Sequence, residues 1–203
     1  MVAANRDEFH ARPAAPAAFW SDHKDILAGR DLQAKGTWMG VSRSGRFAAV
    51  TNYRGGQEPS AAHSRGELVT GFLKAEVPAG AYISTINGKS YSGFNLLACD
   101  GDELWWISNR DGSPRRLEPG YYALGNLLLD SPDVQPAKNR ISALPPAVEP
   151  LFGALAEAKI LNGQYGTRCS TVLLRSENHI SYAERVFGPG GAEGETRRYR
   201  VSI

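Results

Sequence analysis

The chain has 203 residues, 42% apolar and 22% charged, which suits one well-buried domain and excludes disordered, coiled-coil and collagen-like chains. Its net charge of +2, from 23 basic and 21 acidic residues mixed along the sequence, leaves no electrostatic footprint for nucleic acid, although Arg197, Arg198 and Arg200 form a small basic cluster. No apolar run approaches a bilayer span, no signal-peptide pattern opens the chain, and Cys99 and Cys169 lack CxxC spacing. A soluble cytoplasmic protein is therefore expected, with no stable membrane insertion, disulfide framework or metal site.

The apolar start Met1-Val2-Ala3-Ala4 runs directly into Asn5-Arg6-Asp7-Glu8, which predicts a strand with a charged end. Phe9, Phe19 and Trp20 follow at once, so Arg6 and Asp7 are expected to be paired near a core, either as a functional site or as a structural ion pair. Ala11 to Pro16 carries two prolines and predicts an extended loop. Ile26-Leu27-Ala28 is a brief apolar run. Gly36 to Val41 and Phe47 to Tyr53 predict a hairpin around Ser42-Arg43-Ser44-Gly45, with Phe47 to Val50 buried on both faces.

Ser64-Arg65-Gly66-Glu67 has capping-box spacing, and Leu68, Val69, Phe72 and Leu73 follow at helical intervals. A second helix is predicted over 79–86, closed by a left-handed Gly88 after Asn87. Tyr91 to Cys99 and Glu103 to Ser108 predict a hairpin across Asp100-Gly101-Asp102, and Tyr121 to Asn126 a short strand. A proline-punctuated stretch from Ser131 to Pro146 leads to a helix over 148–158. Another hairpin joins Thr171–Arg175 to Ile180–Val186, Gly188 to Gly191 makes a loop, and Arg197 to Ile203 reads as an edge strand. Blocks of sheet and helix without strict βαβ alternation predict an α+β fold with mostly antiparallel strands.

Polar residues gather at the ends of these runs: Asn5-Arg6-Asp7, Asn52, Asn109, Asn126 and Tyr165-Gly166-Thr167-Arg168. Amide side chains in such places can donate to an oxyanion, and a paired arginine can hold a carboxylate. Asparagine at a strand end is also a common turn former. GxSxG, HExxH and Walker-type patterns are absent, which removes support for the common hydrolase, zinc-protease and nucleotide-binding classes. Cys169, beside Arg168, is either a thiol of lowered pKa or a small buried strand residue.

Asn5-Arg6-Asp7-Glu8 is the NRDE signature, and the chain resembles the NRDE family, that of transport and Golgi organisation protein 2. The likeness includes Phe19-Trp20, Ala28-Gly29-Arg30-Asp31, Gly36 to Val41, Thr51-Asn52-Tyr53, Arg65 to Leu68, Gly93 to Leu96, Tyr165 to Arg168 and Glu184-Arg185. The resemblance implies a single domain over residues 1–203 with the four-layer αββα sandwich of N-terminal nucleophile hydrolases. In related cysteine amidases an N-terminal Cys supplies both base and thiolate. By that likeness Arg6 and Asp7 orient the nucleophile, Asn52 and Asn126 form the oxyanion hole, and Arg168 completes the catalytic cluster.

Family members usually carry a preceding strand that begins Met-Cys, whereas this sequence begins Met1-Val2, so a domain lacking that strand and its nucleophile is expected. Two functions follow from the resemblance, beside a bare structural or interaction role. One is handling of a small-molecule or lipid-like ligand, with haem as cargo rather than cofactor or with acyl-coenzyme A; the other is an amidase-type hydrolase whose nucleophile is absent. For the first, Trp38, Phe94, Trp106 and Arg30 are the ligand-binding candidates. A homo-oligomer is compatible with an uncovered sheet edge.

Overall fold

The computed structural model describes residues 1–55 and 61–203. Along the chain lie β1 (Val2–Phe9), β2 (Ala14–Phe19), β3 (Ile26–Asp31), β4 (Met39–Ser42), β5 (Phe47–Asn52), α1 (Gly66–Lys74), α2 (Ala79–Ser84) and β6 (Phe94–Cys99). They are followed by β7 (Leu104–Ser108), β8 (Arg115–Leu117), α3 (Gln135–Ser142), α4 (Val148–Glu157), β9 (Tyr165–Arg175), β10 (His179–Phe187) and β11 (Glu193–Ser202). The fold is mixed α and β with mostly antiparallel sheets, and it forms two compact units: Met1–Ala17 with Asn139–Ile203, and Ala18–Lys138. Among the described residues no helix is long and apolar enough to cross a membrane.

The first unit is built on a sheet of order β1-β9-β10-β11, antiparallel throughout. Helix α4 covers one face: Leu151, Phe152 and Leu155 pack on Val172 and Ala183, with Ala3 and Leu174 at the margin. Side chains alternate along a strand. Cys169, Thr171, Leu173, Tyr182 and Glu184 therefore point to the other face, and they too are buried.

The charged motif lies inside β1 rather than at its end, because β9 continues to Tyr165 and pairs with β1 as far as Phe9. Between Arg6 and Asp7 the register shifts, Arg6 facing Cys169 and Asp7 facing Thr167, so Arg168 is the extra residue of a β-bulge. The stretch predicted as a loop contains β2, an edge strand of its sheet, and edge strands are where a sheet accommodates a proline such as Pro16.

The second unit carries the meander β2-β3-β4-β5-β6-β7-β8, with both predicted hairpins present as β4–β5 and β6–β7. Helices α1 and α2 cover one face, where Leu68, Val69, Phe72, Leu73 and Ile83 pack on Ala48, Phe94, Leu96 and Ile107. Leu27, Met39, Val41 and Trp106 occupy the opposite face and are also buried. Of the apolar run 47–50 only Ala48 is fully buried.

Half of the capping box forms as expected. The Glu67 carboxylate accepts from the Ser64 N–H at 3.2 Å, while the Ser64 hydroxyl accepts from Gly66 N–H at 3.3 Å instead of capping the third turn position. Helix α2 stops at Ser84, and Gly88 opens a 3₁₀ turn capped by the Asn87 side chain rather than taking a left-handed conformation. Residues 121–126 form no strand. They belong to a loop closed by Asp130, whose carboxylate accepts from Ala123 N–H while its own N–H donates to Ala123 O, each at 2.8 Å. Helix α3, with Pro136 in its first turn, falls inside the proline-punctuated stretch that had no helical signature of its own.

Candidate functional site

Alternation along β1 separates the motif residues. Asn5 and Asp7 leave the strand on the α4 face, whereas Arg6 and Glu8 leave it on the other. Asn5 Oδ1 accepts from Ser170 Oγ at 2.7 Å, and its Nδ2 donates to Leu155 O at 3.0 Å. The Leu155 carbonyl in the last turn of α4, which also accepts from Ala158 N–H at 3.1 Å, thereby gains a second donor. Asp7 Oδ1 accepts from Thr167 Oγ1 at 2.6 Å, and the same hydroxyl oxygen accepts from Ile160 N–H at 2.9 Å.

On the opposite face the Arg6 side chain is 9% exposed and lies 3.8 Å from the Glu8 carboxylate. Glu8 also accepts from Phe9 N–H at 2.9 Å and sits 3.8 Å from Arg12 Nε. Arg168, displaced by the bulge, turns towards the end of β1. Its Nη1 donates to the carbonyls of Phe9 (3.0 Å), His10 (3.3 Å) and Arg12 (3.0 Å), so the guanidinium holds the connection from β1 to β2.

A buried polar group that the sequence reading missed stands on the same face as Arg6. Glu184 has no exposure; its Oε1 accepts from Ala17 N–H at 2.6 Å and its Oε2 from Thr171 Oγ1 at 3.4 Å. The Ala17 carbonyl in turn accepts from Arg197 Nη1 at 3.1 Å and Tyr199 OH at 2.9 Å. Burial raises the Glu184 pKa. Burial first, and the Glu184 carboxyl second, push the Cys169 thiol well above its ordinary value, which makes it a poor source of thiolate. The available signal was a carboxylate at an inward position among Ile180, Tyr182 and Val201.

In the second unit Asn126 Nδ2 donates to Asn52 O at 2.8 Å, and Arg54 N–H donates to Asn126 O at 2.6 Å, so these two asparagines are brought together. The Asn52 side chain is exposed. Beside them Asn95, with no exposure, donates from Nδ2 to Leu127 O at 2.9 Å and to Thr51 Oγ1 at 3.2 Å. It too escaped the sequence reading, although an amide inside the apolar run Phe94–Cys99 needs partners of this kind.

The aromatic candidates are not brought onto one wall. Phe94 packs beneath α1 and α2, whereas Trp106 lies on the other face of the sheet with the Arg115 guanidinium 4.3 Å from its ring; both are fully buried. Trp38 is half-buried and its carbonyl accepts from Val50 N–H at 2.8 Å. Arg30 makes two bonds to Asp22, of 2.5 and 2.7 Å, and stacks 4.2 Å from the Trp20 ring. The Arg30 guanidinium draws the Asp22 carboxyl down to about 2. Among the described residues no three His, Cys, Asp or Glu side chains are grouped so as to hold a metal ion.

The sequence profile described as Transport and Golgi organisation 2 matches residues 1–148. The human protein named Transport and Golgi organization protein 2 homolog is 33% identical over 254 aligned positions, which span all of this chain and 92% of the relative. The Bos taurus protein of the same name is 34% identical with the same coverage. The Drosophila melanogaster protein named Transport and Golgi organization protein 2 is 34% identical over 79 positions, or 36% of this chain and 28% of the relative. With a profile matching well over half of its length and relatives aligned along all of it, this chain belongs to the Transport and Golgi organisation 2 family.

Proposed function

We propose that this protein binds and hands on a small, largely apolar ligand of the haem or acyl-lipid class rather than hydrolysing an amide. It would do so as a single domain over residues 1–203, on the four-layer αββα scaffold of N-terminal nucleophile hydrolases. The observation that carries the proposal is the state of the polar side chains that match a catalytic set. Asp7 is bonded to Thr167, the Arg168 guanidinium to three backbone carbonyls and the Asn126 amide to Asn52 O, and the thiol of Cys169 is buried with a raised pKa. Groups fixed in this way hold a scaffold; they do not pair an activated nucleophile with a base.

The scaffold assignment is supported by burial. Each sheet has helices on one face and buried side chains on the other, so each needs a second cover, and an αββα sandwich supplies one. A surface for an apolar ligand is offered by Tyr121 and Leu127, 56% and 39% exposed in the stretch that also holds Asn126. Neither Cys99 nor Cys169 is in a disulfide, which suits a reducing, cytoplasmic setting.

Titration of the folded chain with haem and with acyl-coenzyme A, followed by tryptophan fluorescence, is expected to give saturable quenching with one of them. A folded protein that neither ligand quenches saturably would overturn the proposal.

A further inference from the structure

Within the unit Ala18–Lys138 a cavity of about 270 Å³ shares only Trp20 and Arg30 with the groups described in the candidate site. Its floor is Trp20, only 5% exposed, whose indole Nε1 donates to Ala28 O at 3.1 Å. One wall is the tight turn after β3. There the Asp31 carboxylate accepts from the N–H groups of Gln33 and Ala34, both at 2.9 Å, and Lys35 is held left-handed at φ 64°. The other wall is α1, where Glu67, Thr70 and Lys74 follow at spacings of three and four and so share one stripe of the helix.

Turn and helix approach this closely because glycine faces glycine: a Cβ on Gly36 would stand 2.7 Å from the carbonyl carbon of Gly66. Four segments that carry the family resemblance, around Trp20, Arg30, Gly36 and Glu67, thus meet at a cavity for which nothing above gives a use.

The charge balance indicates what the cavity accepts. Arg30 is already neutralised by its two bonds to Asp22. Lys35 and Lys74 are exposed, and among the described residues neither has an ion pair. The one acidic lining residue, Glu67, has one oxygen accepting from Ser64 N–H and the other 3.1 Å from His63 Nδ1, and it keeps its charge in the lining. With Arg30 balanced by Asp22, the two ammonium groups outweigh the single Glu67 carboxylate of the lining, an excess of positive charge that suits a compact anion. The volume falls just below the range of about 300–1,000 Å³ typical of drug-sized ligands. We propose that this cavity binds a small phosphomonoester, its phosphate between Lys35 and Lys74 and its carbon portion against Ala34 and Thr70.

The site is independent of the ligand proposed above, and its test uses different probes. Calorimetric titration of the full chain with glycerol 3-phosphate and with inorganic phosphate at low salt is expected to give saturable binding of both. The K35A/K74A variant should bind at least about tenfold more weakly, since each charge-assisted contact is worth roughly that factor. K89A, which removes an exposed lysine outside the lining, should bind like wild type, and haem quenching should be unchanged in all variants. Absence of saturable binding, equal affinity in K35A/K74A, equal loss in K89A, or binding of malonate without glycerol 3-phosphate would each overturn the proposal.

Discussion

Glu184→Ala is expected to lower folding stability by roughly 4 kcal/mol. About half of this comes from leaving the buried Ala17 N–H without an acceptor and the rest from the cavity left by a fully buried side chain. Glu184→Gln keeps an acceptor oxygen of similar reach and should cost only about 1 kcal/mol. The two variants also separate in their response to pH. Because burial raises the folded-state pKa of Glu184 above its ordinary 4.5, the folded chain holds that proton more tightly than the unfolded chain. Its contribution is therefore complete below pH 4.5 and is lost as pH rises through the folded value.

Asp22 and Glu149, lowered by their bonds to Arg30 and Arg198, act in the opposite direction at more acid pH and are common to every variant. Subtracting the Glu184→Gln stability profile from that of wild type should leave a difference that falls with rising pH above 4.5. A flat difference in urea unfolding across this window would show that Glu184 is not held as described.

Arg168→Ala is expected to cost about 3 kcal/mol, because one half-buried guanidinium nitrogen satisfies three backbone carbonyls at the end of β1. Limited chymotrypsin digestion should then cut first in the segment that this side chain holds, after the exposed Phe9. Were Arg168 chiefly a catalytic group, its removal would leave the urea midpoint and the digestion pattern as they are in wild type.

Much of the fold could be read from the sequence because it depends on neighbours. The hairpins β4–β5 and β6–β7 have turn residues between apolar runs, and α1 shows its buried stripe at Leu68, Val69, Phe72 and Leu73. What escaped depends on distant partners. Glu184 is explained largely by Ala17, 167 residues away, and Asn95 by Leu127, 32 residues away. The NRDE run was legible as a motif, yet its division between two faces required knowing that β1 continues through it. The Arg168 bulge exists only in the register of β1 on β9. Pro16 and the helix α3 show local propensity yielding to an edge position and to tertiary packing.

The central claim is that the described polar groups hold a scaffold and none is an activated nucleophile, and Cys169 tests it most directly. Iodoacetamide labelling of the native chain at neutral pH, resolved by peptide mass, should modify the half-buried Cys99 while Cys169, 4% exposed with a raised pKa, stays unlabelled until the protein is unfolded. Labelling of Cys169 in the native protein faster than that of a free thiol would contradict the account.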